Sequence, residues 1–498
     1  MRHTSPLIAL AVALLCQGLS VQAQAQAQAQ TQTQTIATDP LRHAVEKALA
    51  KNPEVTSRFN AYRAAGDAVD VVRGGLRPRV DLNASVGIDR DKVTSRAPST
   101  ESPSRSGVAL TLTQLLWDGL GTQREVERFG HDRLARYFDL LEATEQTTLE
   151  AARALYDVQR FQRLVALAED NYVQHRYASQ QIQSRFSAGV GRGVDLEQVN
   201  ARLALAESNL TTESANLHDV MARYLRIVGE IPPQRTNATP PLAVLSAALP
   251  TSSAEVLNRA VVQSPAISAG IEAVRASRLS GQVRASAFQP RIEARVRSGV
   301  GRNFDGVRDQ RRDSSAEVVL NWNLYSGGAD QARVRQQVNL LAQAEDLRDK
   351  VCQDVRQTAA IAHNDTRKLT EQLVLLDRNT LAIEKARDAY RQQFDIGQRS
   401  LLDLLNSENE LYTARRAYAN AEYDRALAFA RTHASMSQLA AQLGFARPAS
   451  LNDEASGWSA GDDAPARCPA DAIALPPIDI EGLARRLPLP SQAGKPAR

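Results

Sequence analysis

The chain states one unit twice. Phe186-Ser187-Ala188-Gly189 returns as Phe394-Asp395-Ile396-Gly397, Asp195 returns as Asp403, and Trp117-Asp118-Gly119 returns as Tyr325-Ser326-Gly327, each 208 positions later. Upstream, Asn52-Pro53-Glu54-Val55 returns as Ser264-Pro265-Ala266-Ile267 and Pro78 as Pro290, both 212 positions later. The second copy is therefore four residues shorter between Pro290 and Tyr325, which marks a loop there. A repeat of this kind governs the fold before any local propensity does.

Each copy has the same order of elements. Ala and Leu at helical spacing predict an opening helix over about 41–73 and 254–285. Two alternating segments follow. Val80, Leu82, Ala84, Val86 and Ile88 alternate with polar residues, and Val108, Leu110 and Leu112 do the same. In the second copy Ile292, Ala294, Val296 and Val300 form one set, and Ala316, Val318, Leu320, Trp322 and Leu324 the other. Period two over about ten residues is a strand with one apolar face. The polar face carries Asp81, Asp89, Arg291, Glu293, Arg295, Arg297 and Glu317. Polar loops over roughly 91–105 and 301–314 join each pair of strands. Long proline-free helical stretches follow, about 120–185 and 328–394, and each is answered after a tight turn by a helix at 195–229 or 401–443. A helix of that first length extends about 100 Å, which fits a tube or rod and not a globule.

The organisation reads as a first repeat over 41–231 (hairpin 78–117, helix pair 120–229) and a linker over 232–253. A second repeat covers 254–444 (hairpin 290–325, helix pair 328–443), and a Pro/Ala-rich tail covers 445–498. Ahead of these, Met1-Arg2-His3, the apolar Leu7–Leu15 and the small residues to Ala23 read as an export signal over 1–23. A Gln/Ala leader over 24–40 has no apolar face to bury. Beyond the signal no run of 18 apolar residues occurs, which excludes a polytopic helical membrane protein. Four strands cannot close a barrel alone, whereas three chains supply twelve. The alternation by itself fits a soluble hairpin pair as well; the export signal and the twofold repetition favour a membrane barrel with a wet lumen.

Little points to catalysis. The seven histidines are scattered without metal-ligand spacing, and no nucleophile–base pairing stands out. Gly189-Val190-Gly191-Arg192-Gly193 is glycine-rich but follows a helix and lacks the Lys-Ser/Thr ending of a phosphate loop, so it reads as a helix–helix turn. A formal charge of +4, evenly spread, gives no reason to expect nucleic acid. No enzyme activity, cofactor or metal is expected. Three cysteines are too few for a disulfide scaffold. Export would leave Cys352 and Cys468 in an oxidising compartment. Antiparallel helix geometry puts the start of the tail level with Cys352, so a disulfide between the two is open.

The order helix, hairpin, long helix pair, said twice behind an export signal, resembles the TolC family of outer-membrane channels over about residues 40–445. The motifs are Gly75-Leu76-Arg77-Pro78, Leu115-Leu116-Trp117-Asp118-Gly119, Asn323-Leu324-Tyr325-Ser326-Gly327-Gly328 and the two turns. The segment from Phe394 to Leu411 is similar to the branch that serves type I secretion of adhesins and agglutination factors. The resemblance implies a mainly α fold with four transmembrane strands per chain. It implies a homotrimer in outer-membrane lipid: a twelve-stranded barrel continued by a periplasmic α-helical tunnel. It also implies docking to a periplasmic adaptor and an inner-membrane ABC transporter. Drug or metal efflux with the same architecture is the near alternative, and a periplasmic scaffold without a pore is the distant one.

By resemblance the two turns form the tunnel's periplasmic tip, with Gly189, Gly191, Gly193, Gly397, Ser400 and Leu401 at the docking surface. Asp403 matches an acidic ring at the aperture, while a second acidic position of the family is Asn406 here. Arg399 matches a gating arginine, and Asp195 matches a carboxylate that latches the closed state. A family tyrosine in that latch falls on Phe394, which has no hydroxyl to offer. The latch is therefore expected to be looser and to rest on Asp195 with Arg399. The plainer reading of Asp195 and Asp403 is helix N-capping. Glu408 and Glu410 read as a solvated helix face.

Overall fold

The computed structural model describes residues 39–92, 94–95, 100–102, 104–233, 242–304, 307, 309–445, 454–468, 471 and 478–486. The expected export signal lies outside these residues, as do most of the leader and parts of the loops and tail. The first repeat comprises α1 (Pro40–Lys51), α2 (Pro53–Arg73), β1 (Arg79–Ile88), a short ribbon of β2 (Asp91–Lys92) and β3 (Thr100–Glu101), β4 (Ser104–Trp117), α3 (Gly121–Ser187) and α4 (Gly193–Val228). After α5 (Leu242–Ala247) the second repeat runs α6 (Ser253–Gln263), α7 (Pro265–Ala285), β5 (Arg291–Arg302), β6 (Arg312–Asn321), α8 (Ala329–Asp395) and α9 (Leu401–Ser435). A short α10 (Leu439–Gln442) closes it, and α11 (Ile480–Ala484) lies in the tail. Among the described residues no helix is long and apolar enough to cross a membrane.

Each opening helix, expected as one, is two. Pro53 and Pro265 occupy the first turn of α2 and α7, and the residue before each is extended, with ψ 124 at Asn52 and ψ 117 at Ser264. Proline pushes its predecessor out of the helical region. Asn52 and Ser264 use that break to cap, accepting from Glu54 N at 2.9 Å and Ile267 N at 3.3 Å. The last long helix also stops early, at Ser435 and not at 443. Ser437 turns left-handed there with φ 55. The buried N–H groups of Leu439 and Ala440, at the start of α10, then donate to the buried carboxylate of Glu145 at 3.1 and 3.4 Å.

The helices α3 and α8 are 67 residues each, about 100 Å at the helical rise. Low side-chain bulk lets α3 pack on α9: Ala151, Ala152 and Ala154 of the one and Ala426 and Ala430 of the other are buried in the largest core cluster. There α1 buries Leu41, Ala44 and Val45 against α3 and α4, in one cluster with Leu155 and Tyr156 of α3, Val228 of α4 and Leu427 of α9. Full burial of one such leucine contributes about 1.5–3 kcal/mol.

The four main strands form one antiparallel sheet in the order β1-β4-β5-β6. Both hairpins keep the same register under the repeat: Val80 faces Leu112 as Ile292 faces Leu320, and Leu82 faces Leu110 as Ala294 faces Val318. The central pair β4·β5 joins the repeats, with Leu112 opposite Val296 and Val108 opposite Val300. One face is bare and apolar over most of its height, with Leu82 69% and Val86 86% exposed. The opposite face is charged. There Phe304 folds down over Gly107 and Gly299, where a Cβ would overlap its ring, and the Arg297 guanidinium lies 5.2 Å from the ring centroid.

Candidate functional site

The two inter-helix turns meet at one end of the molecule. The α3–α4 turn closes through a left-handed Gly189 (φ 77), with Val190 N and Gly191 N both donating to Arg185 O at 3.0 Å. A Cβ at Gly191 would lie 2.7 Å from Phe186 N, so only glycine fits. The α8–α9 turn repeats the design with Gly397 (φ 79) and Gln398 N donating to Gln393 O at 2.8 Å. Gly193 opens α4, and Ser400 caps α9.

Beneath the turns an apolar plug joins the repeats: Phe394, 4% exposed, packs with Ala178, Ile182, Val199, Leu401, Leu404 and Leu405. The Arg185 guanidinium stands 5.1 Å from the centroid of the Phe394 ring. Val190 and Ile396 project outward from the turns, 78% and 68% exposed.

The charged residues of the tip are arranged differently from the sequence reading. Asp403 is not an N-cap. It is the third residue of α9 and completes a capping box: Ser400 Oγ accepts from Asp403 N at 3.2 Å while Asp403 Oδ2 accepts from Ser400 N at 3.4 Å. Arg399 Nη1 lies 3.8 Å from Asp403 Oδ2, Arg399 Nε donates to Gln393 Oε1 at 3.1 Å, and its guanidinium sits 5.0 Å from the Tyr390 ring centroid. Within one chain Arg399 therefore bends back onto its own hairpin and does not meet Asp195. Asp195 is half-buried in the first turn of α4, and its side chain makes no cap.

The tyrosine under the arginine is Tyr390, one turn before Phe394. Asn406 accepts from Arg202 Nη2 at 3.0 Å, a contact across 204 positions that no local pattern announced. Glu408 is buried and not solvated: Arg387 Nη1 donates to it at 3.2 and 3.4 Å, while Glu410 is exposed.

The charged face of the sheet neutralises itself along the strands. Arg79 pairs with Asp81 at 2.8 Å, Arg105 with Asp89 at 3.4 Å, and Arg297 with Asp313 at 3.9 Å. Glu293 holds Arg291 at 2.7 Å and Arg295 at 2.9 Å. Glu317 stands opposite Arg295 in the ladder.

The described part of the tail is a strap across both repeats. Cys468 is disulfide-bonded to Cys352 of α8. Trp458 packs edge-on against Phe138 of α3 with centroids 4.9 Å apart and donates from Nε1 to Glu272 of α7 at 2.7 Å. Glu272 is fully buried, with His131 Nδ1 at 2.6 Å and Arg275 Nη1 at 2.7 Å. Burial pushes its carboxyl up, but the hydrogen bonds of His131 and Trp458 and the charge of Arg275 outweigh that and leave it below its ordinary range. Asp463 is held low by Arg278 and Arg275 against its burial. Asp349 is raised by burial and lowered further by Arg467 and Arg348. Tyr62 and Arg133 both donate to Glu454, at 2.8 and 2.5 Å.

Known proteins share this architecture. The family model described as "Outer membrane efflux protein" matches residues 44–229 and 256–436. The outer membrane efflux protein BepC of Brucella suis is 26% identical over 409 residues, 82% of this chain and 87% of that one. The alkaline protease secretion protein AprF of Pseudomonas aeruginosa is 26% identical over 277 residues, 54% of this chain and 56% of that one. Among solved structures, the CmeC outer membrane channel of Campylobacter jejuni superposes with a TM-score of 0.73 at 13% identity, covering 84% of this chain and 90% of that one.

Proposed function

The chain belongs to the outer membrane efflux protein family, and from that membership we propose that it is the channel-tunnel of a type I protein secretion system. Channels of this family are non-enzymatic homotrimers that work with periplasmic adaptors and inner-membrane transporters, and the protein resides in the outer membrane and extends into the periplasm. The observation that carries the reading is the joint one: four strands with a bare apolar face continue into helices of 67 residues. Three such sheets give twelve strands, with the paired charges of Asp81, Asp89, Arg291, Glu293, Arg295 and Arg297, and Glu317 beside them, on the lumen wall. The cargo is a large protein such as an adhesin, driven by an inner-membrane ABC transporter. The similarity to AprF and the Phe394–Leu411 segment support secretion. BepC supports the second reading, efflux of small compounds.

At the tip, Asp403, Asp195 and Arg399 line the aperture, and the exposed Val190 and Ile396 flank the glycine turns that dock the adaptor. Asn406 leaves Arg202 facing an uncharged partner, so the aperture carries less negative charge than two acidic rings would give. Deleting the gene tests the two cargo readings: a large surface protein retained inside the cell, with unchanged tolerance of toxic compounds, is expected. The reverse pattern would replace secretion with efflux. In planar bilayers Arg399→Ser should raise single-channel conductance; an unchanged value removes Arg399 from the gate.

A further inference from the structure

The bare apolar face of the sheet is bracketed in the same way in both repeats. At the end next to the long helices stand Trp117 and, 208 positions on, Tyr325, with Trp322 beside them; they are 42%, 85% and 54% exposed. At the other end, next to the hairpin loops, stand Arg90 and, 212 positions on, Arg302. Arg302 continues the outward-facing set Val296, Val300, as the register of β4·β5 shows, and Arg312 lies opposite Val300 on the same face. Arg302 and Arg312 are diagonal neighbours on adjacent strands, a spacing of about 7–8 Å. Arg90 follows Ile88 at the same alternation. All three are exposed, and among the described residues none of their guanidinium groups has a hydrogen-bond or ion-pair partner. On the opposite face, by contrast, Asp81, Asp89, Arg291, Glu293, Arg295 and Arg297 all have ion-pair partners.

Trp322, the residue after β6, lies ten positions on from Arg312, about 33 Å of extended chain. Tilted as barrel strands are, that spans a height of about 25 Å, the apolar band of an outer-membrane barrel. The arginines thus fall at the headgroup level of the leaflet facing away from the helices. In an outer membrane that leaflet is built from a glycolipid carrying phosphates. Guanidinium groups bind phosphate through paired N–H donors and resist the cost of partial burial better than ammonium does.

We propose that Arg90, Arg302 and Arg312 form a phosphate-binding belt for the diphosphorylated glycolipid of the outer leaflet. The belt rests on the channel reading above, since three chains would place nine such arginines around one barrel.

The test uses the full-length protein reconstituted in phosphatidylcholine vesicles, alone or with added lipid A, with its form lacking one phosphate, or with phosphatidylglycerol. Lipid A should raise the temperature at which the trimer dissociates, and the form with one phosphate should do so less. Arg90→Ser, Arg302→Ser and Arg312→Ser together should abolish the rise, and each alone should cut the lipid A retained after purification by about tenfold. Equal retention by the single variants and the wild type would overturn the belt, as would stabilisation by phosphatidylglycerol as strong as by lipid A. The single variants keep the comparison open if the triple variant does not assemble. Conductance and a heat-modifiable trimer in the same preparations report the channel separately. A conducting wild type indifferent to lipid A sinks the belt alone, and a wild type with neither property sinks the channel reading.

Discussion

The Phe394 ring, 4% exposed, fills the apolar plug between the two hairpins. Phe394→Ala should therefore cost about 3–5 kcal/mol of local stability. Faster amide hydrogen exchange across both turns, with the largest core cluster around Leu155 and Tyr156 unchanged, is the expected outcome. Arg202 and Tyr390 were not legible, because their partners Asn406 and Arg399 come to them only through the packing and folding-back of hairpins. Glu408 was misjudged for the same reason, since its burial depends on Arg387 of the neighbouring helix.

At the scale of elements, long proline-free stretches located the long helices, and period-two alternation located the strands. What periodicity hid was the break at Pro53 and Pro265, because the apolar spacing runs on through both prolines. The tail was the least legible element: 454–468 has no repeat of its own, and its order comes from the partners it finds on α2, α3, α7 and α8. Those partners predict its response to acid. Glu272, Asp349 and Asp463 titrate lower in the folded chain than unfolded. Their contribution is complete above the ordinary carboxylate range and is lost as pH falls through the depressed values. With the disulfide intact, protease protection of 454–468 should persist to below about pH 4. Cys468→Ser should leave the strap bound at neutral pH but release it at a higher pH than in the wild type. Release of both forms at the same pH would show that the carboxylates alone hold it.

For the whole molecule, the repeat predicts a contact that no single chain makes. The edges of β1 and β6 have no partner among the described strands. Under the two offsets β1 corresponds to β5 and β6 to β4, so the seam β4·β5 is a template for the seam between chains. Leu112 opposite Val296 becomes Leu320 opposite Ala84 of the next chain, and Leu110 opposite Ser298 becomes Val318 opposite Val86. Cysteines at Ala84 and Leu320 should crosslink chains into covalent trimers on oxidation, whereas Ala84 with Val318, two residues out of register, should crosslink poorly.

The same seam has a consequence for assembly. A closed ring of six hairpins needs six joints, and in each chain one of them is already made before any two chains meet. Only three bodies have to find one another instead of six, and the tethered hairpins face each other at a fixed effective concentration. Co-expressed half-chains, one repeat each, should still form the ring but with a far steeper dependence on protein concentration. The duplication would then be the means by which a hexagonal assembly became a third-order, rather than a sixth-order, encounter.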